Sequence, residues 1–194
     1  MTLRVHAPCL LLLLPVLTVG CFTASQMQTM RHAMQPYSIS PNFDLSKPWR
    51  IAVIPPPLSS DIAPSDFLAE RAGMQLMKIP TISVVDRAEV ERIMQEQQFS
   101  YSGLADPATA VKLGKLMGAS AVATIKVGTV KHDEFWTDSP DQRDAELFLR
   151  IISVETAEVL YSAQGQGSSF TGAQEALAGA LDVALLPLLE KGIR

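Results

Sequence analysis

The chain alternates short runs of β-branched apolar residues with longer stretches in which apolar positions recur every third or fourth residue. "RIAVIPPP" is a compact apolar run closed by prolines, the pattern of a buried strand that cannot continue. A helix is expected from about Ser65 to Met77, with Ser65 as N-cap and Leu68, Ala72 and Leu76 on one face. "TISVVDR" reads as a second strand that hands directly to a helix, with Asp86 as its cap and Glu89 at capping-box spacing. In "DRAEVERIMQEQQF", Val90, Ile93, Met94 and Gln97 share one face, and Glu89, Arg92 and Glu96 lie outside it. Asp106 and Pro107 open a further helix, with Ala110, Leu113, Gly114 and Met117 inward and Gly118 as its stop. Gly114 on the inner face would let that helix approach a sheet closely.

"ASAVATIKVGTV" is apolar enough for a central strand, and "ELFLRIISVETAEVLYSAQGQG" reads as a hairpin turning around Thr156 and Ala157. A last helix is expected from Thr171, with Gln174 at capping-box spacing, Leu177, Leu181 and Leu185 every fourth residue, and a bend at Pro187. The predicted fold is therefore α/β: a mixed β-sheet flanked by helices in two or three layers, in the order β-α-β-α-α-β-β-β-α, its last strands antiparallel.

The first twenty residues have a different pattern. Arg4 and His6 precede an apolar run from Cys9 to Val19 that ends in Gly20 and Cys21, the order of a secretory signal peptide. The run is too short to span a bilayer, and Pro15 interrupts it. "TVGC" resembles the lipobox of bacterial lipoproteins, although Thr18 stands where Leu is more usual, so Cys21 is the expected lipidation site. The bland alternative is ordinary cleavage nearby that leaves Cys21 a free thiol. Cys9 leaves with the signal peptide, so no disulfide can form in the mature chain. By resemblance to lipoprotein sorting, Phe22 rather than Asp after the cysteine implies the outer membrane, with the domain facing the periplasm. Residues 21–47 follow as a tether rich in Ser, Gln and Met, which would span on the order of 28 Å if flexible. Met27, Met30 and Met34 could alternatively form a short helix that clasps another copy. The three parts are thus a signal peptide at 1–20, a tether at 21–47 and an α/β domain at 48–194.

Charge narrows the partners. The chain has 16 basic residues, and losing Arg4 with the leader leaves 15 against 20 acidic ones, a formal charge of −5. Nothing in that balance attracts nucleic acid. Catalytic chemistry is sparse, since processing leaves only His32 and His132. His132, Asp133 and Glu134 adjoin one another, whereas metal sites need spaced ligands that converge, so a solvated acidic loop is the simpler reading. "GQGSSFTG" superficially resembles a phosphate loop but lacks its Lys and its spacing, so a bend after a strand is expected instead. The expectation is a chain without catalytic residues, metal or cofactor. Phe135 and Trp136 are candidate partner contacts, the alternative being that they fold back on their own sheet. Asp86, Arg87 and Glu96 are candidates for a ligand site at a strand end or for a structural polar site in which Arg87 pairs with a neighbour such as Glu96.

The run from Val84 to Ile125, followed by "LRIISVETAEVLYSAQG", resembles the core of the curli production assembly/transport component, or CsgG-like, lipoprotein family. Arg87, Glu96, Gln97, Gly103, Asp106, Leu113, Gly114, Gly118 and Ala119 carry the resemblance, which extends from about Arg50 to the C-terminus. Ser120, Ile125 and Ala157 depart from it. The resemblance implies a CsgG-like periplasmic domain and a non-enzymatic role, through protein contacts, in assembly or export of envelope and surface structures, with other envelope proteins or copies of itself as partners. The intervals matching that family's pore-forming hairpins read "GTVKHDEFWTDSPDQRDAE" and "GQGSSFTGAQ", which lack lipid-facing alternation, so no pore is expected. A lipoprotein activator of a peptidoglycan synthase or a flagellar envelope component is the alternative within the same class. A small-molecule sensor or enzyme is the alternative of a different class.

Overall fold

The computed structural model describes residues 36–58, 62–64, 66–97, 107–132 and 142–193. In chain order its elements are β1 (Tyr37–Ile39), β2 (Trp49–Ile54), α1 (Phe67–Leu76), β3 (Ile82–Val84), α2 (Arg87–Glu96), α3 (Pro107–Leu116), β4 (Ala121–His132), β5 (Arg143–Ser153), β6 (Val159–Ser169) and α4 (Ala173–Gly192). The strands form one mixed sheet in the order β1-β6-β5-β4-β2-β3.

Two kinds of connection divide that sheet. β2 pairs in parallel with β3 on one side and with β4 on the other. Parallel neighbours need crossovers, and right-handed crossovers in opposite directions place their helices on opposite faces. Accordingly Leu68, Ala72 and Leu76 of α1 join one apolar layer with Ile51 and Val53. Val90, Ile93 and Met94 of α2, Ala110 and Leu113 of α3 and Met117 just after it join a second layer with Ala52, Ile54 and Val122. β4, β5 and β6 are an antiparallel meander that needs no crossover helix. Among the described residues only α4 covers this half, on the same face as α1, with Leu177, Leu181, Leu185 and Leu188 fully buried.

α4 lies unusually close to β6 because β6 has glycines beneath it. A Cβ on Gly165 would stand 1.9 Å from the carbonyl oxygen of Ala180, and one on Gly167 would stand 2.1 Å from that of Ala176. These are the glycines of "GQG", which therefore seat a helix on a continuing strand, and the bend expected of this stretch follows at Phe170 and Thr171. Gly114 does on the other face what its position in the sequence predicts: a Cβ there would meet Val154 at 2.4 Å and Val122 at 2.6 Å. Pro187 lies within α4 and has no N–H to give the carbonyl one turn back. Nearby, the buried Tyr161 hydroxyl donates to the carbonyl of Ala184 at 2.5 Å. Burial pushes that phenol well above its ordinary pKa, so it stays a donor.

Several expectations need correction at the element ends. β1 and the buried Phe43 come from the stretch read as tether, so the element order gains a leading strand. β1 escapes the sequence because three residues carry no periodicity and the strand exists only by pairing with distant β6. Glu158, at the β5–β6 turn, holds the chain after β1 by accepting from Ser40 Oγ at 2.5 Å and Asn42 Nδ2 at 2.9 Å. These bonds keep its carboxyl below the usual range. Ser65 lies outside the described residues, and α1 begins at Phe67 with no side-chain cap. α4 begins at Ala173 instead of Thr171, whose N–H donates to Ser169 Oγ in a local turn. Asp86 caps α2 as expected, accepting from Ala88 N at 2.8 Å, but Glu89 bonds Arg92 and closes no capping box. The turn residue Ala157 has φ 58°, a left-handed conformation that favours the glycine missing from that position.

Replacing Gly165 with Ala forces a Cβ into the helix backbone. Thermal or denaturant unfolding is expected to show a loss of about 1–3 kcal/mol, against a near-neutral result if α4 could lift freely.

Candidate interaction surface

The polar candidates at the end of β3 form a structural tie. Arg87 bonds Glu91 at 2.7 Å and Glu70 at 2.6 Å, and pairs with Asp66, joining the first turn of α2 to α1. Its guanidinium is held above its ordinary pKa chiefly by the bond to Glu91. The expected partner Glu96 bonds Arg92 instead, at 2.6 Å. Glu91 is one helical turn from Arg87 on the same face, whereas Glu96 lies more than two turns away. A second tie, from Arg71 Nη2 to Asp182 at 2.5 Å, links α1 to α4. No pocket is built from Asp86, Arg87 and Glu96 by these contacts. An open depression of about 410 Å³ lies elsewhere, lined by Pro41, Asn42, Phe43, Asp44, Leu45, Lys47 and Lys191. Among the described residues no group of three or more His, Cys, Asp or Glu could hold a metal ion. Cys21, Phe135 and Trp136 lie outside the described residues.

The feature that stands out is a face of the sheet with no described helix on it. Ala145, Leu147, Leu149 and Ile151 of β5 point into the layer under α4. Strand alternation therefore turns Asp144, Glu146, Phe148 and Arg150 the other way. The second apolar layer, with α2 and α3, reaches β5 only at Ile152, and at Val154 just beyond its end. Beyond it Lys126 of β4 stands opposite Phe148, Thr124 opposite Arg150, and Gln164 and Ser162 of β6 flank them on the other side. Lys126 and Arg150 are exposed, and Phe148 is 37 % exposed. Glu146 is part-buried and accepts from the Gln164 amide. Gly128 leaves room for it: a Cβ there would come within 3.3 Å of both the Glu146 carboxylate and the Phe148 ring.

This surface presents an aromatic ring among charges of both signs on a rigid platform, which suits contact with another macromolecule. Its signal was present in the sequence as the period-two alternation of Asp144, Glu146, Phe148 and Arg150 with buried neighbours. That alternation marks the strand without saying what covers its outer side.

Fold and surface together define a mixed-sheet α/β domain with one open antiparallel face. No family model matches the chain, and no curated protein matches it. Its fold is shared with solved structures. The PelC dodecamer from Paraburkholderia phytofirmans is 14 % identical, with a TM-score of 0.53 over 80 % of this chain and 96 % of that one. The lipoprotein GNA1162 from Neisseria meningitidis is 20 % identical, with a TM-score of 0.54 over 74 % of this chain and 99 % of that one. The LpoB C-terminal domain from Salmonella enterica is 15 % identical, with a TM-score of 0.44 over 62 % of this chain and 82 % of that one.

The resemblance to the CsgG-like family is corrected by these findings, since no family model matches and the fold is shared with PelC and GNA1162 instead. The residues that suggested it include positions any helix-on-sheet packing demands. Gly114 is a close-approach site, and Gly118, at φ 60°, is a helix stop. Such residues mark a fold, not a family. Among the described residues no helix is long and apolar enough to cross a membrane.

If Arg87 serves only as a tie, Arg87→Gln should lower Tm modestly, and the loss should shrink as salt is raised. A loss indifferent to salt would show that the side chain acts by packing.

Proposed function

We propose that the chain is a non-enzymatic lipoprotein of the bacterial envelope, anchored by lipid on Cys21, whose domain acts through contact with other proteins. The observation that carries this reading is the open antiparallel face centred on Phe148, exposed between Lys126, Arg150 and Gln164. The "TVGC" sequence around Cys21 supports the anchor. The fold shared with the lipoprotein GNA1162 is consistent with it, and the fold shared with the PelC dodecamer is consistent with a scaffold that works by association. Phe22 after the cysteine favours the outer membrane, with the domain facing the periplasm.

Export of curli fibres is withdrawn along with the resemblance that suggested it. Contact with a peptidoglycan synthase, weighed on the sequence as the alternative, becomes the better-supported partner class within this reading. It needs only a stable domain with an accessible face, and no channel.

The anchor is tested by metabolic labelling with a clickable fatty acid and fractionation of the envelope. The wild-type chain should take up label and sediment with membranes, and Cys21→Ala should lose label and move to the soluble periplasmic fraction. An unlabelled wild-type chain, or Cys21→Ala distributed like the wild type, would overturn it.

A further inference from the structure

We infer that the open face of β4, β5 and β6 docks on the same face of a second copy, with the two β5 strands antiparallel across a two-fold axis at Phe148. This rests on the contact reading of that face and adds a weak, exchangeable self-contact to the partners the face engages. The argument begins with the order of charges along β5. Its outward residues run Asp144, Glu146, Phe148, Arg150, acidic on one side of the ring and basic on the other. Such a row is complementary to itself when reversed. Stacking two copies antiparallel sets each Arg150 over the other copy's Glu146 and each Phe148 over its equivalent. The parallel stacking would set Arg150 on Arg150 and Glu146 on Glu146.

The flanking strands are largely uncharged at the contact. Thr124 of β4 and Ser162 of β6 lie level with Arg150, and Gln164 lies level with Phe148, so short or uncharged groups border the central row on these positions. Lys126, also level with Phe148, meets its own equivalent across the axis, so the two ammonium groups must be carried apart to solvent on their long stems, a cost that further weakens the contact. Face-to-face sheets pack about 10 Å apart with strands within about 30° of alignment, a separation that opposed Phe and Arg–Glu side chains can fill. The contact is isologous and closes at two copies. Three strands at sheet spacing are about 14 Å wide, which over a length of about 25 Å gives roughly 350 Å² per copy. This is well below the roughly 800 Å² per partner of a stable complex, so the dimer is weak and reversible.

Charge exchange provides the test. Glu146 and Arg150 are about 13 Å apart along one strand, too far to pair within a chain. The full processed chain, solubilised from envelopes in detergent, is examined by sedimentation velocity over a concentration series, with thermal melts to verify folding. The wild type should pass from monomer to dimer. Arg150→Glu and Glu146→Arg should each weaken association about tenfold or more, and the double exchange should restore it. Should Glu146→Arg fail to fold, Phe148→Lys, which leaves the Gln164 bond in place, is expected to abolish the dimer. A wild-type monomer throughout, a closed assembly of more than two copies, a double exchange as weak as the single changes, or a dimer that survives Phe148→Lys would overturn the inference. A monomer here leaves the lipid-labelling result untouched, so failure of the self-contact and failure of the anchor are distinguishable.

Discussion

The antiparallel half of the domain depends on a steric allowance: at Gly165 and Gly167 β6 presents no Cβ beneath α4. Gly165 and Gly167 let the carbonyl oxygens of Ala180 and Ala176 come down almost onto the strand, where any side chain would hold the helix away. At that depth Leu177, Leu181 and Leu185 enter the layer formed by Leu147, Leu149 and Ile151 and are fully buried. One helix is thereby enough to close one face of the meander. Among the described residues the other face receives none, and antiparallel neighbours such as β4, β5 and β6 require no crossover helix. Close packing on one side and an open surface on the other follow from the same connectivity. The surface then holds Phe148 and its charged neighbours on strands whose backs are fully buried.

Much of the fold was legible because its periodicities are strong. The three-four spacing of Leu68, Ala72 and Leu76 and of Leu177, Leu181 and Leu185, and the proline stop after Ile54, each correspond to an observed element. Gly114 was identifiable as a close-approach position because it falls on the apolar face of its helix. Element ends were less legible. A serine, a threonine and a glutamate at capping positions suggested caps, but Thr171 and Glu89 use their polar groups in other local contacts. β1 was invisible because its pairing partner lies more than a hundred residues away.

The candidate site was legible only in part. Arg87 looked notable because it is a charge at a strand end, yet whether such a charge faces a cleft or a neighbouring helix depends on where Asp66 and Glu70 come to lie, which no local pattern encodes. The open face has the opposite difficulty. Alternation along β5 gives the residues of each side, while the coverage of a side is decided by the connections of the whole chain. Family resemblance misled for a related reason, because it leaned on glycines such as Gly114 and Gly118 whose places are set by helix packing and helix termination. What the comparisons establish is the fold, shared with PelC and GNA1162.

A photo-activatable amino acid placed at position 148 of the chain in intact cells interrogates the open face most directly, with the same residue at Met74, exposed on the helical side, for comparison. Efficient cross-linking from position 148 and little from position 74 is expected if the uncovered strands are the working surface. Cross-links from position 74 with none from position 148 would contradict it and shift the contact to the helices.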